Sequence, residues 1–128
     1  YAAPLMEQEG GSIIALTFIA SERVFPGYNV MGTAKAALEN EVRQLAAELG
    51  HAGIRVNAIS SGPLDTLAAR GIHGFLNMKR GYSERAPLGR NNTHDEVAKA
   101  ALFLSSDLAS GVTGVILPVD AGYHIMAV

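Results

Sequence analysis

The sequence predicts an α/β fold built as a Rossmann-like, doubly wound parallel sheet. Three short apolar segments over residues 12–18, 54–60 and 115–120 are bounded by glycine or turn residues, which is typical of strands. Helical patterns, with apolar residues at steps of three and four, separate these segments. Strands that alternate with helices build a layered fold around a parallel sheet with right-handed crossovers.

The first predicted strand follows the end of a helix. Residues 1–9 finish with the polar run Glu7-Gln8-Glu9 and stop at Gly10 and Gly11, as the last turn of a helix commonly does. The apolar run 12–18 lacks regular polar alternation, so we expect a strand buried on both faces. Residues 19–27 then form a connecting loop.

The longest helical pattern covers residues 28–49. Tyr28 and Lys35 are seven residues apart, so we expect them on one line of this helix, about 10 Å apart along its axis. A phenol and an ammonium so placed can share one ligand. The ammonium is expected to lower the pKa of the phenol and to suit it to protonate a developing oxyanion. Gly32 lies close to the same line and would let another group approach the backbone. The apolar residues of the pattern are Ala34, Leu38, Val42, Leu45 and Leu49.

The opposite face of this helix is small and uncharged. Such a stripe fits either an alanine-rich solvated face or packing against another helix. Its members are Thr33, Ala36, Ala37, Asn40, Gln44 and Ala47.

The second strand leads into a candidate ligand-binding loop. Gly50 is predicted to end the helix and Gly53 to open strand 54–60. Residues 61–66 leave the carboxyl end of that strand, the edge where doubly wound sheets bind ligands. An ordinary turn would also explain Gly62 followed by proline.

Residues 67–81 combine apolar side chains with three glycines. This pattern fits a mobile lid over an apolar substrate, and it fits a short packed helix equally well. Basic residues follow, which could dock an acidic partner or form an ordinary solvated surface. They are Lys79, Arg80, Arg85 and Arg90.

The last third of the chain has a helix start and a third strand. Thr93 and Glu96 have the spacing of a capping box and predict a helix start. The strand over residues 115–120 contains Pro118, which cannot donate a ladder hydrogen bond and therefore favours an edge position.

The composition excludes several classes of function. The chain has 128 residues, of which 48% are hydrophobic, and a formal net charge of −2. Without a basic excess we expect no nucleic-acid or membrane binding, and no apolar run has the length of a membrane span. The absence of cysteine excludes disulfides and thiolate metal sites. We expect no metal site, because the histidines are not spaced like ligands: His51, His73, His94 and His124.

Specific segments of the sequence resemble the enoyl-acyl-carrier-protein reductases of bacteria and plastids. These enzymes belong to the short-chain dehydrogenase/reductase superfamily, most of which places three residues between its tyrosine and lysine. The reductases resembled here place six between them, as Tyr28 and Lys35 do. The segments that carry the resemblance are Glu22-Arg23, Pro26, 28–32, Ala34-Lys35, 53–59, Gly62-Pro63, 66–69 and 107–114.

The resemblance implies a role for each of several residues. Tyr28 would hydrogen-bond the substrate oxygen and Lys35 would hold the ribose of a nicotinamide cofactor. Many relatives have a second tyrosine where this chain has Phe18, which we expect to shape the acyl pocket. The implied cofactor-binding residues are Leu16, Thr17, Lys35, Gly62, Pro63, Leu64, Thr66 and Ala68. The implied substrate-binding residues are Phe18, Tyr28, Met31, Ala68, Ile72 and Phe75.

The resemblance also implies partners and a place in a larger protein. It implies reduction of trans-2-enoyl thioesters on acyl carrier protein in fatty acid elongation, with NAD as cofactor and NADP left open. It further implies a homotetramer in the cytoplasm, or in a plastid if a transit peptide lies upstream.

A dinucleotide-binding fold also needs a glycine-rich strand-turn-helix, and none is found here. We therefore expect the chain to be the C-terminal part of a single reductase domain. A carbonyl-reducing member of the superfamily and a non-catalytic fragment with a role in assembly or binding remain alternatives.

Overall fold

A three-stranded parallel sheet forms the centre of the molecule. The computed structural model describes residues 2–127, so Tyr1 and Val128, which the sequence predictions include, lie outside the described range. The strands are β1 (Gly11–Thr17), β2 (Ile54–Ser61) and β3 (Ile116–Val119), in the spatial order β1-β2-β3. The predicted parallel α/β fold is confirmed.

Four α-helices accompany the sheet in the described residues. They are α1 (Ala3–Met6), α2 (Val30–Leu49), α3 (Phe75–Arg85) and α4 (His94–Ser105). Short 3-10 turns complete the chain at Ile19–Ser21, Gly50–Ala52, Ala69–Gly71, Asp107–Ala109 and Tyr123–Ile125.

The register aligns the carboxyl ends of all three strands. β1 pairs with β2 from Gly11 opposite Ile54 to Thr17 opposite Ser60. β2 pairs with β3 up to Ser61 opposite Val119. Because the strands are parallel, the loops that leave β1 and β2 emerge at one edge of the sheet.

Helices α2 and α4 cover opposite faces of the sheet. Successive side chains of a strand point to opposite faces, and the contacts follow that alternation. An aliphatic cluster joins Val42, Ala46, Ile54, Val56 and Ala58 on the α2 side. A second cluster joins Ile59, Val97, Leu104 and Ala109 on the α4 side.

Strand β1 is less buried than the sequence predicts. Ile13 packs on the α2 side and Ile14 on the α4 side, so both faces make contacts. Leu16, however, is 56% exposed. Among the described residues β1 pairs with β2 alone, so it is an edge strand with less cover than a central one. The expectation of a strand buried on both faces is therefore wrong for this end of β1.

Helix α4 begins with the predicted capping box. The Thr93 hydroxyl accepts from the Glu96 amide at 3.2 Å, and the Glu96 carboxylate accepts from the Thr93 amide at 2.8 Å. Arg90 donates to both oxygens of the same carboxylate, at 2.6 and 3.0 Å. These contacts lower the pKa of Glu96 to about 2, and the hydrogen bonds from Arg90 have the largest effect.

A third cluster is aromatic and lies beyond the carboxyl edge of the sheet. Its members come from the loop after β1, from α3 and from the last 3-10 turn. This aromatic cluster consists of Phe18, Phe25, Tyr28, Tyr82 and Tyr123. No helix within residues 2–127 has the length and apolar character needed to cross a membrane.

Candidate active site

The predicted site residues come from the end of β1, from the loops after β1 and β2, and from helices α2 and α3 at the carboxyl edge of the sheet. Residues 18–29 follow β1, and residues 62–74 follow β2. Lys35 comes from the second turn of α2. This edge is where parallel α/β sheets bind their ligands.

Tyr28 lies in a turn before α2, which corrects the predicted helix start. The helix begins at Val30, so Tyr28 is not on the helical line of Lys35. The Tyr28 amide donates to the Phe25 carbonyl at 3.0 Å, and its own carbonyl accepts from the Met31 amide at 3.2 Å. Asn29, between turn and helix, has φ 49° and ψ −134°. Such a backbone conformation is strained for a side-chain-bearing residue, and strain of this kind concentrates at functional sites.

The Tyr28 side chain is partly buried. Its ring packs on Phe18 with a centroid distance of 5.2 Å. Burial raises the pKa of Tyr28 above its usual value. The expectation that a lysine ammonium lowers this pKa is therefore wrong, because desolvation of the phenolate dominates here.

Lys35 is fixed to the end of β1. Its Nζ donates to the Leu16 carbonyl at 2.9 Å. One turn further along α2, Glu39 accepts from the Thr17 hydroxyl at 2.7 Å, and Glu39 is only 4% exposed. The predicted residues Leu16, Thr17 and Lys35 thus meet at one point.

Glu39 is a residue of this site that the sequence interpretation missed. It is four residues after Lys35 and three before Val42, so helical spacing alone places it on the same inward face as both. Carboxylates seldom occupy inward-facing positions of a helix, so the position of Glu39 in the sequence is itself a signal of a functional residue.

Gly32 allows a close backbone contact. A Cβ at this position would lie 2.6 Å from the Ala20 carbonyl oxygen. The group that approaches the helix is therefore the 3-10 turn after β1. This approach brings the loop of Phe18 and Tyr28 against α2.

The loop after β2 is packed at its start and open further along. The Gly62 amide donates to the Val119 carbonyl at 3.0 Å, and a Cβ at Gly62 would clash with Asn92 Oδ1. Pro63 is buried, and Leu64 packs in the α4-side cluster. Thr66 Oγ1 accepts from the Ala69 amide at 3.1 Å, which fixes the 3-10 turn that follows.

The predicted substrate-binding residues separate into two groups. Phe18 and Phe75 are buried, and Phe18 contacts Tyr28 directly. Met31 and Ala68 are exposed, and Ile72 is partly buried. Residues 75–85 form helix α3, so the packed-helix alternative applies to the second part of the 67–81 segment.

Two open cavities border the aromatic cluster. One, of about 450 Å³, is lined by residues 20–29 and the first turns of α2. The other, of about 530 Å³, is lined by Phe25, His73, Met78, Tyr82 and Tyr123. Tyr28 lines the first cavity, and Phe25 lines both cavities.

Tyr82 and Tyr123 complete the cluster and were not predicted. Their rings stack with a centroid distance of 3.6 Å and an interplanar angle of 16°. The Tyr82 hydroxyl is buried and has no hydrogen-bond partner within residues 2–127, and burial raises the pKa of this phenol strongly. Arg23 donates to the carbonyls of His124 and Met126, which ties the loop after β1 to the turn that carries Tyr123.

The available donors fit a dinucleotide better than a metal ion. An ammonium has three donors, so Lys35 keeps two for ribose hydroxyls beside its bond to Leu16. The Thr66 oxygen accepts a hydrogen bond, which leaves its proton free to be donated to a phosphate. Within residues 2–127 no group of three or more histidine, aspartate and glutamate side chains could hold a metal ion.

A family model described as "Enoyl-(Acyl carrier protein) reductase" matches residues 1–124. The chain is similar to the enoyl-[acyl-carrier-protein] reductase [NADH] of Bacillus cereus, with 56% identity over 92% of this chain and 46% of the relative. It is also similar to the Nostoc enzyme of the same name, with 57% identity over 98% of this chain and 48% of the relative.

Two solved structures show the same fold. The Bacillus cereus reductase with NADP+ and indole naphthyridinone has a TM-score of 0.94 and 53% identity, over 99% of this chain and 49% of that one. The Anaplasma phagocytophilum reductase in complex with NAD has a TM-score of 0.91 and 46% identity, over 99% of this chain and 46% of that one. The chain spans about half the length of the relatives it matches. It belongs to the enoyl-acyl-carrier-protein reductase family.

Proposed function

We propose that the intact protein reduces the trans-2 double bond of enoyl thioesters carried by acyl carrier protein, with NADH as reductant. The enoyl thioester gains a hydride at C3 and a proton at C2, and NADH becomes NAD+. The cofactor, when bound, supplies the hydride. The observation that carries the proposal is that the carboxyl edge of the parallel sheet presents both the Tyr28 phenol, packed on Phe18, and the Lys35 ammonium, bonded to the Leu16 carbonyl.

Tyr28 would act as a hydrogen-bond donor to the thioester oxygen. Negative charge develops on that oxygen as hydride arrives at C3, and a donor already in place stabilises it. A phenol is protonated at neutral pH, and burial raises the pKa of Tyr28 further above its usual value. Phe18 packs against the ring and would limit its movement.

Lys35 would hold the cofactor ribose. Its bond to the Leu16 carbonyl fixes the ammonium, and its remaining donors suit two hydroxyl groups. The loop after β2 would contribute the Leu64 backbone to the carboxamide and Thr66 to a phosphate. Met31, Ile72, Phe75 and exposed Ala68 are proposed to line the acyl pocket.

The chain is proposed to be the C-terminal part of one dinucleotide-binding domain. The relatives are about twice its length, and β1 is an edge strand with Leu16 exposed. Further strands of the intact protein would pair with this edge and supply the glycine-rich phosphate turn.

The uncharged stripe of α2 is proposed to be a subunit contact in a homotetramer. All of its members are exposed: Thr33, Ala36, Ala37, Asn40, Gln44 and Ala47. Ala37→Glu should lower the oligomer size in size-exclusion chromatography, whereas Ala98→Glu on exposed α4 should not. Equal oligomer sizes for both variants would show that the stripe faces solvent and not another subunit.

Acyl carrier protein is proposed to dock beside α3. Arg80 and Arg85 are exposed there, and Lys79 is partly exposed. Arg90 contributes less, because Glu96 accepts two hydrogen bonds from it.

The direct test compares two substrates in the intact protein. NADH oxidation is followed with a crotonyl thioester and with a 3-oxobutanoyl thioester on the same carrier. The proposal expects turnover of the crotonyl thioester and little with the 3-oxo compound. Preference for the 3-oxo compound would assign the protein to carbonyl reduction, and inactivity with both would support a non-catalytic role.

A further inference from the structure

An acidic side chain lies in the loop that the proposed function assigns to the cofactor. Asp65 directly precedes Thr66, in the segment that leaves the carboxyl end of β2. A carboxylate in this position would repel the diphosphate of a dinucleotide. The loop therefore needs a compensating charge if an anionic cofactor is to bind there.

Arg70 supplies such a charge. Its Nε donates to Asp65 Oδ1 at 3.0 Å, and this contact lowers the pKa of Asp65. The two side chains are 69% and 48% exposed, so they lie at the surface of the loop and not in the core. Exposed pairs of this kind add little to stability.

The backbone between the two residues is fixed by Thr66. Its hydroxyl accepts from the Ala69 amide at 3.1 Å, and its carbonyl accepts from the Arg70 amide at 3.1 Å. The guanidinium is therefore carried by the same turn that presents the Thr66 hydroxyl. Within residues 2–127, the two terminal nitrogens of Arg70 donate to no protein acceptor.

We propose that Arg70 is the counter-charge that lets this loop accept the dinucleotide diphosphate despite Asp65. The inference rests on the proposed function and adds to it a residue that sets cofactor affinity through charge. Asp65 and Arg70 together are neutral, and the exposed guanidinium of Arg70 bonds Asp65 through Nε, so its two terminal nitrogens are available to an anion.

The test measures NADH affinity in the intact protein by fluorescence titration at low salt. Arg70→Gln should raise the Kd about threefold, and Asp65→Asn should lower it about threefold, as expected for one unit charge near an anion in water. The double variant should return to within about twofold of the unchanged protein. All these differences should shrink at about 0.5 M salt.

Asp95→Asn is the matched control, because Asp95 forms a similar exposed pair with Lys99 on α4, with an N–O distance of 2.7 Å. It should leave the Kd unchanged. An unchanged Kd in Arg70→Gln, or weaker binding in Asp65→Asn, would overturn the inference. Failure of the unchanged protein to bind NADH would overturn the proposed function, and this inference with it.

Discussion

The aliphatic cluster under α2 and the aromatic cluster around Tyr28 are built in different ways. The aliphatic cluster joins one helix to the central strand through alternating side chains such as Ile54 and Val56. The aromatic cluster joins a loop, α3 and the last turn, and Arg23 ties two of these together. The first cluster packs α2 against the sheet, whereas the second packs around Tyr28, the proposed hydrogen-bond donor. We infer that damage to them should have different consequences.

The largest expected effect on stability is in the aliphatic cluster. Ile54 is 1% exposed, so Ile54→Ala leaves a cavity and should lower the free energy of unfolding by about 2–5 kcal/mol. The kcat of the protein that remains folded should change little. Urea unfolding and steady-state kinetics measure both, with exposed Leu108→Ala as control. A large loss of kcat in fully folded Ile54→Ala protein would contradict the different roles inferred for the two clusters.

A substitution in the aromatic cluster should lower the activity of the protein as well as its stability. Tyr123→Leu removes the stack on Tyr82, and such pairs contribute about 0.5–1.5 kcal/mol beyond their buried area. Because Tyr82 contacts Phe18 and Phe18 contacts Tyr28, we expect kcat to fall severalfold with the NADH Kd unchanged. Phe103→Leu on α4 is the control. A stability loss with unchanged kcat would mean that the cluster only supports the fold.

The smallest expected effect concerns one hydroxyl. Tyr82→Phe removes a buried hydroxyl that has no hydrogen-bond partner among the described residues, and it keeps the stacked ring. Because a buried polar group without a hydrogen bond is costly, the variant should be more stable, by about 1 kcal/mol. Thermal unfolding measures the difference. A loss of stability would show that the hydroxyl has a partner in solution.

The two clusters also differ in how well the sequence predicts them. The spacing of apolar residues by three and four predicts that Val42 lies on the inward face of α2, and the apolar run after Gly53 predicts β2. The structure confirms both. The capping box at Thr93 was equally clear, because all its contacts lie within one turn. Such features depend on residues that are close in the chain.

The aromatic cluster depends on residues that are far apart in the chain. No local pattern brings Tyr82 to Tyr123, so their stack becomes visible only in the structure. The strained backbone at Asn29 likewise separates Tyr28 from the helix, which begins two residues later at Val30. The pKa of Tyr28 was predicted with the wrong sign, because sequence spacing gives a charged neighbour but not the burial of the ring.

The central claim is that Tyr28 donates to the substrate oxygen while Lys35 holds the cofactor. The measurement that tests it most directly is single-turnover reduction of a crotonyl thioester by the intact protein, with Tyr28→Phe and Lys35→Ala compared and NADH Kd measured for each. Tyr28→Phe should slow the reduction on the order of 100-fold with little change in Kd, because only the transition state gains the full hydrogen bond. Lys35→Ala should raise the Kd as well. A near-normal single-turnover rate in Tyr28→Phe would contradict the account.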